Sequence, residues 1–493
     1  LHPANQRHGC HHWHMPAHPL HKTSMHKVIP IQPVESWTPA DKIHARTTQG
    51  FFSRWRWTFV WLTQAIFYGV PWLTWHTRQA VLFDLDAKRF YLFGAVLFPQ
   101  DLIYLAALLV VSALLLFFVT AVVGRIWCGF ACPQTVYTSI FMWIENTFEG
   151  SHQNRKRLDK VGWGTQKLMR RGGKHMAWMV FSLWTGFTFV GSFTPIRPLA
   201  IDTWSLSVGH WSAFWILFYG LFTYLNAGLV REKVCLHMCP YGRFQGSLMD
   251  ARTLNVAYDH RRGEPRRGNL KNDPRDARNG HCIDCTLCVQ VCPTGIDIRN
   301  GLQAACIGCG LCIDACDDVM TKTLAPKGLI RMASLHELSS GHTSRQPWIQ
   351  RILRTRVWVY GGLLLLVIAA TGWAFSTRPE IRLNVIRDRS VMTRQVEQGA
   401  AENVYSLQLM NASDHERTVV VDVQPPHLVS LTQPAAVKLG PAQASSLTVT
   451  VRMPSTEAMQ RPGEVIPIRF HVVTLNAPSQ TQANEASTFL VPQ

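Results

Sequence analysis

Apolar positions along the chain concentrate in five uncharged runs, at residues 57–75, 102–123, 176–194, 211–230 and 357–375. The hydrocarbon core of a bilayer is crossed by about 20 mostly apolar helical residues, so each run predicts a membrane-spanning helix. Buried core helices are seldom uncharged over such lengths. The first run is the weakest, because Gln64, Gly69 and Pro71 interrupt it. Beyond Phe375 the pattern changes to short alternating runs at 381–386, 404–409, 418–423, 445–451 and 466–473, with Pro and Gly between them. Regular short strands over about 110 residues predict an all-β sandwich of the immunoglobulin type. That tail has no cysteine and no cluster of titratable groups, so it reads as a docking module.

Charge orients the predicted spans. The loop at 124–175 carries 9 Lys and Arg, whereas those at 76–101 and 195–210 carry 3 and 1. The 231–356 segment is again rich in both. By the positive-inside rule the N-terminus, the 124–175 loop and the 231–356 segment are cytoplasmic. Five spans then put the tail outside. The first apolar run lies too far along the chain, without a small-residue cleavage site, to read as a signal peptide.

Composition agrees. Of 493 residues 47% are hydrophobic and only 16% charged, where soluble proteins carry about a quarter. The net charge of +18 is uneven: 10 basic and 10 acidic residues follow position 375, leaving 39 and 21 upstream. A nucleic-acid partner would require a basic face on a folded domain; here the excess flanks apolar runs, so no nucleic-acid partner is expected. Disordered, collagen-like and small disulfide-rich classes are excluded.

The thirteen cysteines all lie upstream of the exported tail, opposite to a disulfide framework. They are expected as ligands or redox groups. Eight form two runs, Cys282-x2-Cys285-x2-Cys288-x3-Cys292-Pro293 and Cys306-x2-Cys309-x2-Cys312-x3-Cys316. This is the bacterial ferredoxin spacing for two [4Fe–4S] clusters, in which the fourth cysteine of each run serves the other cluster. Cys282, Cys285, Cys288 and Cys316 are therefore assigned to one cluster, and Cys306, Cys309, Cys312 and Cys292 to the second. Zinc sites use two well-separated cysteine pairs rather than three cysteines in seven residues. Asp317 stands where proline would follow the second run, a departure that bears on local geometry and potential.

Four more cysteines form Cys128-Gly-Phe-Ala-Cys132-Pro133 and Cys235-Leu-His-Met-Cys239-Pro240, directly after the second and fourth runs. Two spans followed by C-x3-C-P thus occur twice, offset by 107 residues (128 to 235), as in an internal duplication. Proline suits the first helical position. Cys132 and Cys239 are accordingly expected at helix N-termini, with lowered thiol pKa. Cys128, Cys132, Cys235 and Cys239 are candidate redox thiols or ligands of a soft ion such as Cu(I); the plainer alternative is four inert interfacial cysteines. The first 30 residues hold eight histidines with Cys10, Met15 and Met25. They read as an over-extended translation start in preference to a copper-binding tail.

The order of segments is then a tail at 1–30, four spans with duplicated motifs at 31–230, a 2[4Fe–4S] ferredoxin domain at 231–356, a fifth span at 357–375 and a sandwich at 376–493. This order resembles the CcoG/FixG/RdxA membrane polyferredoxins, the cytochrome c oxidase accessory proteins. So do the strings Arg125-Ile-Trp-Cys128-Gly-Phe-Ala-Cys132-Pro133-Gln134-Thr135-Val136 and Asn403-Val-Tyr405-Ser-Leu407-Gln-Leu409-Met-Asn411. The resemblance covers about residues 30–490, and the histidine-rich start has no counterpart in the family pattern. It implies a multi-pass protein of the bacterial inner membrane with a periplasmic sandwich. It further implies reduction of Cu(II) to Cu(I) for assembly of cbb3-type cytochrome c oxidase. The implied partners are copper-trafficking and oxidase-assembly proteins and an unidentified electron donor; a homodimer is left open. Two rival functions stand beside it, a quinol-linked electron-transfer subunit of a reductase complex and a non-enzymatic assembly scaffold.

Overall fold

The computed structural model describes residues 43–266, 280–340, 354–388, 393–396, 399–432, 435–475 and 482–493. The histidine-rich start and Cys10 lie outside the described residues.

Helix α1 (Phe51–Gly69) begins before the first apolar run, taking in Arg54 and Arg56, and ends where Gly69 and Pro71 disfavour its continuation. Thr74 and Trp75, expected within a span, instead form strand β1, paired with β2 (Arg78–Gln79). A three-stranded meander follows, β3 (Val81–Asp84), β4 (Arg89–Leu92) and β5 (Ala95–Leu97), and leads into α2 (Leu102–Val123). Gly124, with φ of 61°, ends α2 and turns the chain into α3 (Ile126–Phe130) and α4 (Pro133–Glu149). Helix α5 (His152–Lys160) precedes α6 (Thr165–Val190), and α7 (Ile196–Trp204) precedes α8 (His210–Thr223). A π-helical stretch, Tyr224–Val230, continues α8, and α9 (Pro240–Leu248) follows the second C-x3-C-P motif.

Among the described residues three helical segments are long and apolar enough to cross a membrane: Pro99–Val123, His210–Val230 and Thr355–Ser376. The other two apolar runs lie on α1 and α6, whose polar positions dilute them; Arg54, Arg56 and Gln64 sit in α1, and Lys167, Arg170, Arg171 and Lys174 in α6. Glycines set the closeness of the helices: a Cβ on Gly186 of α6 would collide with the Ile216 carbonyl oxygen of α8. Helix α2 packs along Thr355–Ser376, where the Tyr104 hydroxyl donates to the Ala374 carbonyl at 3.0 Å. Buried Glu145 of α4 accepts from Arg231 at 2.8 Å, joining α4 to the turn before the second motif.

The cysteine-rich segment is closed by an antiparallel pair, β6 (Asn255–Tyr258) and β7 (Ile330–Ala333). Between them lie α10 (His260–Gly263), α11 (Leu287–Gln290) and α12 (Leu311–Lys322). Val256, Tyr258, Ile298, Ile313, Met320 and Ile330 form their common core.

The tail is a two-sheet sandwich. Its elements are β8 (Ile381–Arg387), β9 (Arg394–Gln395), β10 (Ala401–Asn411), β11 (Arg417–Gln424), β12 (Ser430–Leu431), β13 (Ala435–Leu439), β14 (Ala444–Met453), β15 (Val465–Thr474) and β16 (Gln482–Leu490). One sheet runs β12-β14-β10-β8 with β9 also on β10; the other runs β13-β11-β15-β16, all antiparallel. Alternate residues Ile466, Ile468, Phe470 and Val472 point into the core, as a strand's period of two requires. The Tyr405 hydroxyl crosses between sheets to the Thr488 carbonyl at 2.8 Å. The sandwich also touches the segment between α1 and α2. Asp101, buried before α2, pairs with Arg382 at 2.6 Å, and Asp414 accepts from Arg78 at 2.7 Å.

Candidate iron–sulfur and thiol sites

The two ferredoxin-type runs fold alike. Asp284 and Thr286 take left-handed φ of 54° and 56°; Gly308 and Gly310, at the same offsets in the second run, take 70° and 72°. In each run the next residue, Leu287 or Leu311, begins a helix. Such turns point successive backbone N–H groups inward and suit an anionic cluster. The folded chain brings Cys282, Cys285, Cys288 and Cys316 to the wall of one cavity, with Tyr258 and Arg299. A second cavity is lined by Cys292, Cys306, Cys309 and Cys312, with Cys288 reaching its edge. The fourth cysteine of each run therefore faces the cavity of the other. Burial pushes the Cys306 and Cys316 thiols up to about 12 and Cys288 to about 11. Buried thiols of this kind give up their protons only to a compensating cation; four sulfurs suit zinc or an iron–sulfur cluster, and three cysteines in seven residues favour the cluster. The residues present thus fit [4Fe–4S] clusters. Cys285 is the exposed member of the first set, whereas Cys309 in the second is buried.

The two C-x3-C-P motifs also face one another. Pro133 and Pro240 occupy the first turn of α4 and α9, which makes Cys132 and Cys239 the capping residues. Cys128 lies in α3, where its sulfur accepts from the Gln245 side chain of α9 at 3.3 Å. Cys128 and Cys132 lie within electrostatic reach of Cys239, and Cys235 lies within reach of all three others. The expected lowering at Cys132 does not occur: burial raises it, outweighing the N–H groups of Gln134 and Thr135 that favour the thiolate. Burial likewise pushes Cys128 up to about 11, against Gln245 and Arg125, and Cys235 up to about 12. Desolvation exceeds the helix-end effect because these thiols are partly buried around the contact of α3 with α9. None of the twelve described cysteines is in a disulfide.

The membrane motif and the ferredoxin segment are in contact. A Cβ on Gly129 would lie 2.8 Å from Cys309 Cα and 3.0 Å from the Ile307 carbonyl oxygen. Arg125, buried, donates to the carbonyls of Ala304 and Cys306 in the second cysteine run, and to Gly242 of α9 at 3.0 Å. Helix α1 docks from another side, with the Asp314 carboxylate of α12 accepting from the Ser53 and Phe52 N–H groups at 2.7 and 3.2 Å. In the sequence Arg125 stands out only within the string around Cys128 that carries the family resemblance, and nothing marks Gln245 or Arg56. Their signal was faint: Arg125 and Arg231 precede Cys128 and Cys235 by three and four residues, yet only Arg125 turns toward the ferredoxin segment.

Paired ferredoxin runs abutting a duplicated thiol motif, beside apolar helices and a two-sheet sandwich, define a membrane-associated iron–sulfur electron-transfer protein. Family models agree: a 4Fe-4S dicluster domain matches residues 230–335, a 4Fe-4S binding domain residues 105–149, and the Ig-like fold at the C-terminus of FixG residues 371–492. The chain is 37% identical over 391 residues to Protein RdxA of Cereibacter sphaeroides, covering 77% of this chain and 82% of that protein. It is 34% identical to the nitrogen fixation protein FixG of Rhizobium meliloti over 414 residues, covering 78% and 79%. Protein RdxB of Cereibacter sphaeroides is also 34% identical, over 396 residues, covering 78% and 82%. The chain belongs to the FixG/RdxA family.

Proposed function

We propose that the chain reduces Cu(II) to Cu(I) at the cytoplasmic face of the bacterial inner membrane, for assembly of cbb3-type cytochrome c oxidase. In this reading all five apolar runs span the membrane, the ferredoxin segment is cytoplasmic and the sandwich is periplasmic; the loop charges support that orientation. Cys282, Cys285, Cys288 and Cys316 hold one [4Fe–4S] cluster, and Cys306, Cys309, Cys312 and Cys292 the other. When bound, each cluster supplies one electron at a time, so each Cu(I) formed returns one reduced cluster to its oxidised state. Cys128, Cys132, Cys235 and Cys239 bind the copper substrate as thiolates, a donor type that favours Cu(I) over Cu(II). Burial raises the Cys128, Cys132 and Cys235 thiols, so copper must displace protons to bind there.

The observation that carries this reading is the abutment of Gly129, inside the first thiol motif, on Cys309 of the second cysteine run. The backbones that carry the two groups of sulfurs touch there. The test is single Cys→Ser replacement in the four thiols, assayed for Cu(I) formation and for iron content. Loss of copper reduction with both clusters retained supports the reading. Loss of iron instead would make these cysteines cluster ligands, as the 4Fe-4S binding match over 105–149 would then require. Unchanged copper reduction would favour the quinol-linked or scaffold roles.

A further inference from the structure

The two cysteine sets lie in opposite electrostatic surroundings. Around the first, Arg299 is engaged by two carboxylates, Asp297 at 2.6 Å and Asp284. Asp297 also acts on Cys288, and Asp317 acts on Cys316. With Arg266, which is paired with Glu264 at 2.8 Å and acts on Asp297, two guanidiniums face four carboxylates there. Asp317 is the residue that replaces the usual proline after the second run; its carboxylate is held in place by the Gly328 N–H at 2.8 Å.

Around the second set, two buried guanidiniums approach with no carboxylate ion-paired to either among the described residues. Arg56 of α1 donates to the Ser139 hydroxyl at 2.7 Å and lies within electrostatic reach of Cys309 and Cys292. Arg125 donates only to carbonyls, one of them that of Cys306 at 3.2 Å, and acts on both the Cys306 and the Cys128 sulfurs. The opposing carboxylate is Asp314, whose charge is met by two N–H groups at the start of α1. Cluster potentials follow local charge, hydrogen bonding to sulfur and solvent exposure. Burial alone would disfavour the more negative, reduced state at the second set. In a low-dielectric site, though, an unpaired cation acts at close to full strength, while the carboxylates around the first set, whose Cys285 is exposed, favour oxidation.

We propose that Arg56 and Arg125 set the second site, held by Cys292, Cys306, Cys309 and Cys312, at a higher potential than the first, and that Asp317 holds the first site low. This rests on the ligand sets of the proposed function and adds a direction to them. One electron leaving the first site, which is oxidised, reduces the second, and the passage is downhill toward the Gly129 contact and the membrane thiols. Exposed Cys285 marks the outer, electron-accepting end. Arg56, Arg125 and Asp317 are positioning residues that act through the cluster ligands.

The test is an anaerobic potentiometric titration of the detergent-solubilised full chain, followed by electron paramagnetic resonance, with iron and sulfide measured on each sample. Two one-electron midpoints are expected. Arg125→Gln and Arg56→Gln should each lower only the higher midpoint, shifting the reduced-to-oxidised ratio at fixed potential about tenfold, or about 59 mV for one electron. Arg125→Lys should restore most of it. Asp317→Asn keeps the acceptor for Gly328 and should raise only the lower midpoint. The proposal is overturned if the arginine variants move the lower midpoint, if Asp317→Asn moves the higher one, or if no variant moves either. Iron for fewer than two clusters in the unaltered chain would instead sink the ligand assignment on which the proposal rests. If an arginine variant loses iron, Asp317→Asn and the remaining arginine variant decide the matter.

Discussion

Gly129 and Cys309 meet backbone to backbone: a Cβ on the glycine would stand 2.8 Å from the cysteine Cα and 2.9 Å from its nitrogen. The contact joins residues 180 positions apart (129 to 309), one between two membrane-proximal thiols and the other in a ferredoxin-type run. Neither backbone can retreat easily, because Arg125 ties the same loop through Ala304 and Cys306. Gly129→Ala should therefore push the two segments apart at a cost of about 1–3 kcal/mol of overpacking. The expected result is slower copper reduction with both clusters retained. Stopped-flow bleaching of pre-reduced protein by Cu(II) measures it, and an unchanged rate would mean that this contact does not carry the electron.

Crossed ligation has its own signature. Cys316 belongs to the second run in sequence but lines the first cavity with Cys282, Cys285 and Cys288. Cys316→Ser and Cys282→Ser should perturb the same paramagnetic signal, and Cys292→Ser should perturb the other. Electron paramagnetic resonance of the three reduced variants checks this; grouping by run instead would refute the crossing.

The attachment of the sandwich rests on a buried charge. Asp101 is 2% exposed and faces Arg382 at 2.6 Å and Arg378 at 3.5 Å. Removing one partner of a buried pair strands the other and costs about 3–5 kcal/mol. Asp101→Ala should loosen the join between α2 and β8, exposing the 377–380 link to limited proteolysis while leaving cluster absorbance intact. Cleavage at the rate of the unaltered chain would show that other contacts, Arg78–Asp414 among them, suffice.

Within the sandwich, Tyr405→Phe removes the hydroxyl that donates to the Thr488 carbonyl, a part-buried bond on an exposed residue. A loss of about 0.5–1.5 kcal/mol is expected, read as an earlier urea midpoint for the tail's unfolding. Near-identical midpoints would place the hydroxyl's worth at the edge of measurement.

Local signals were legible in the sequence, and long-range ones were not. Spacing alone grouped the eight ferredoxin-type cysteines, because three ligands of a cubane must come from one short loop. Pro133 and Pro240 marked the starts of α4 and α9, since a fixed φ and a missing N–H suit the first turn. Five strands of the sandwich were visible as alternation. β16 was not: its first part, residues 482–487, is polar or small throughout, and pairing with β15 rather than hydrophobicity holds it in the sheet. The meander β3–β5 was hidden in the same way, being three- and four-residue strands beneath the resolution of any periodicity. The thiol pKa direction at Cys132 was misread because a helix end is local, whereas the burial that overrides it comes from segments far along the chain. The contacts of Arg125, Arg56 and Gln245 were illegible for the same reason: each acts on a partner more than 100 residues away.

The central claim is that electrons held at the ferredoxin-type cysteines reach copper through this chain. The most direct measurement is anaerobic: reduce the purified full-length protein in detergent, remove excess reductant, and add Cu(II) with a Cu(I)-specific chelator. One Cu(I) formed for each electron lost from the cluster absorbance, up to two per chain, is the predicted result. Clusters that reduce normally yet keep their electrons in the presence of Cu(II) would contradict it.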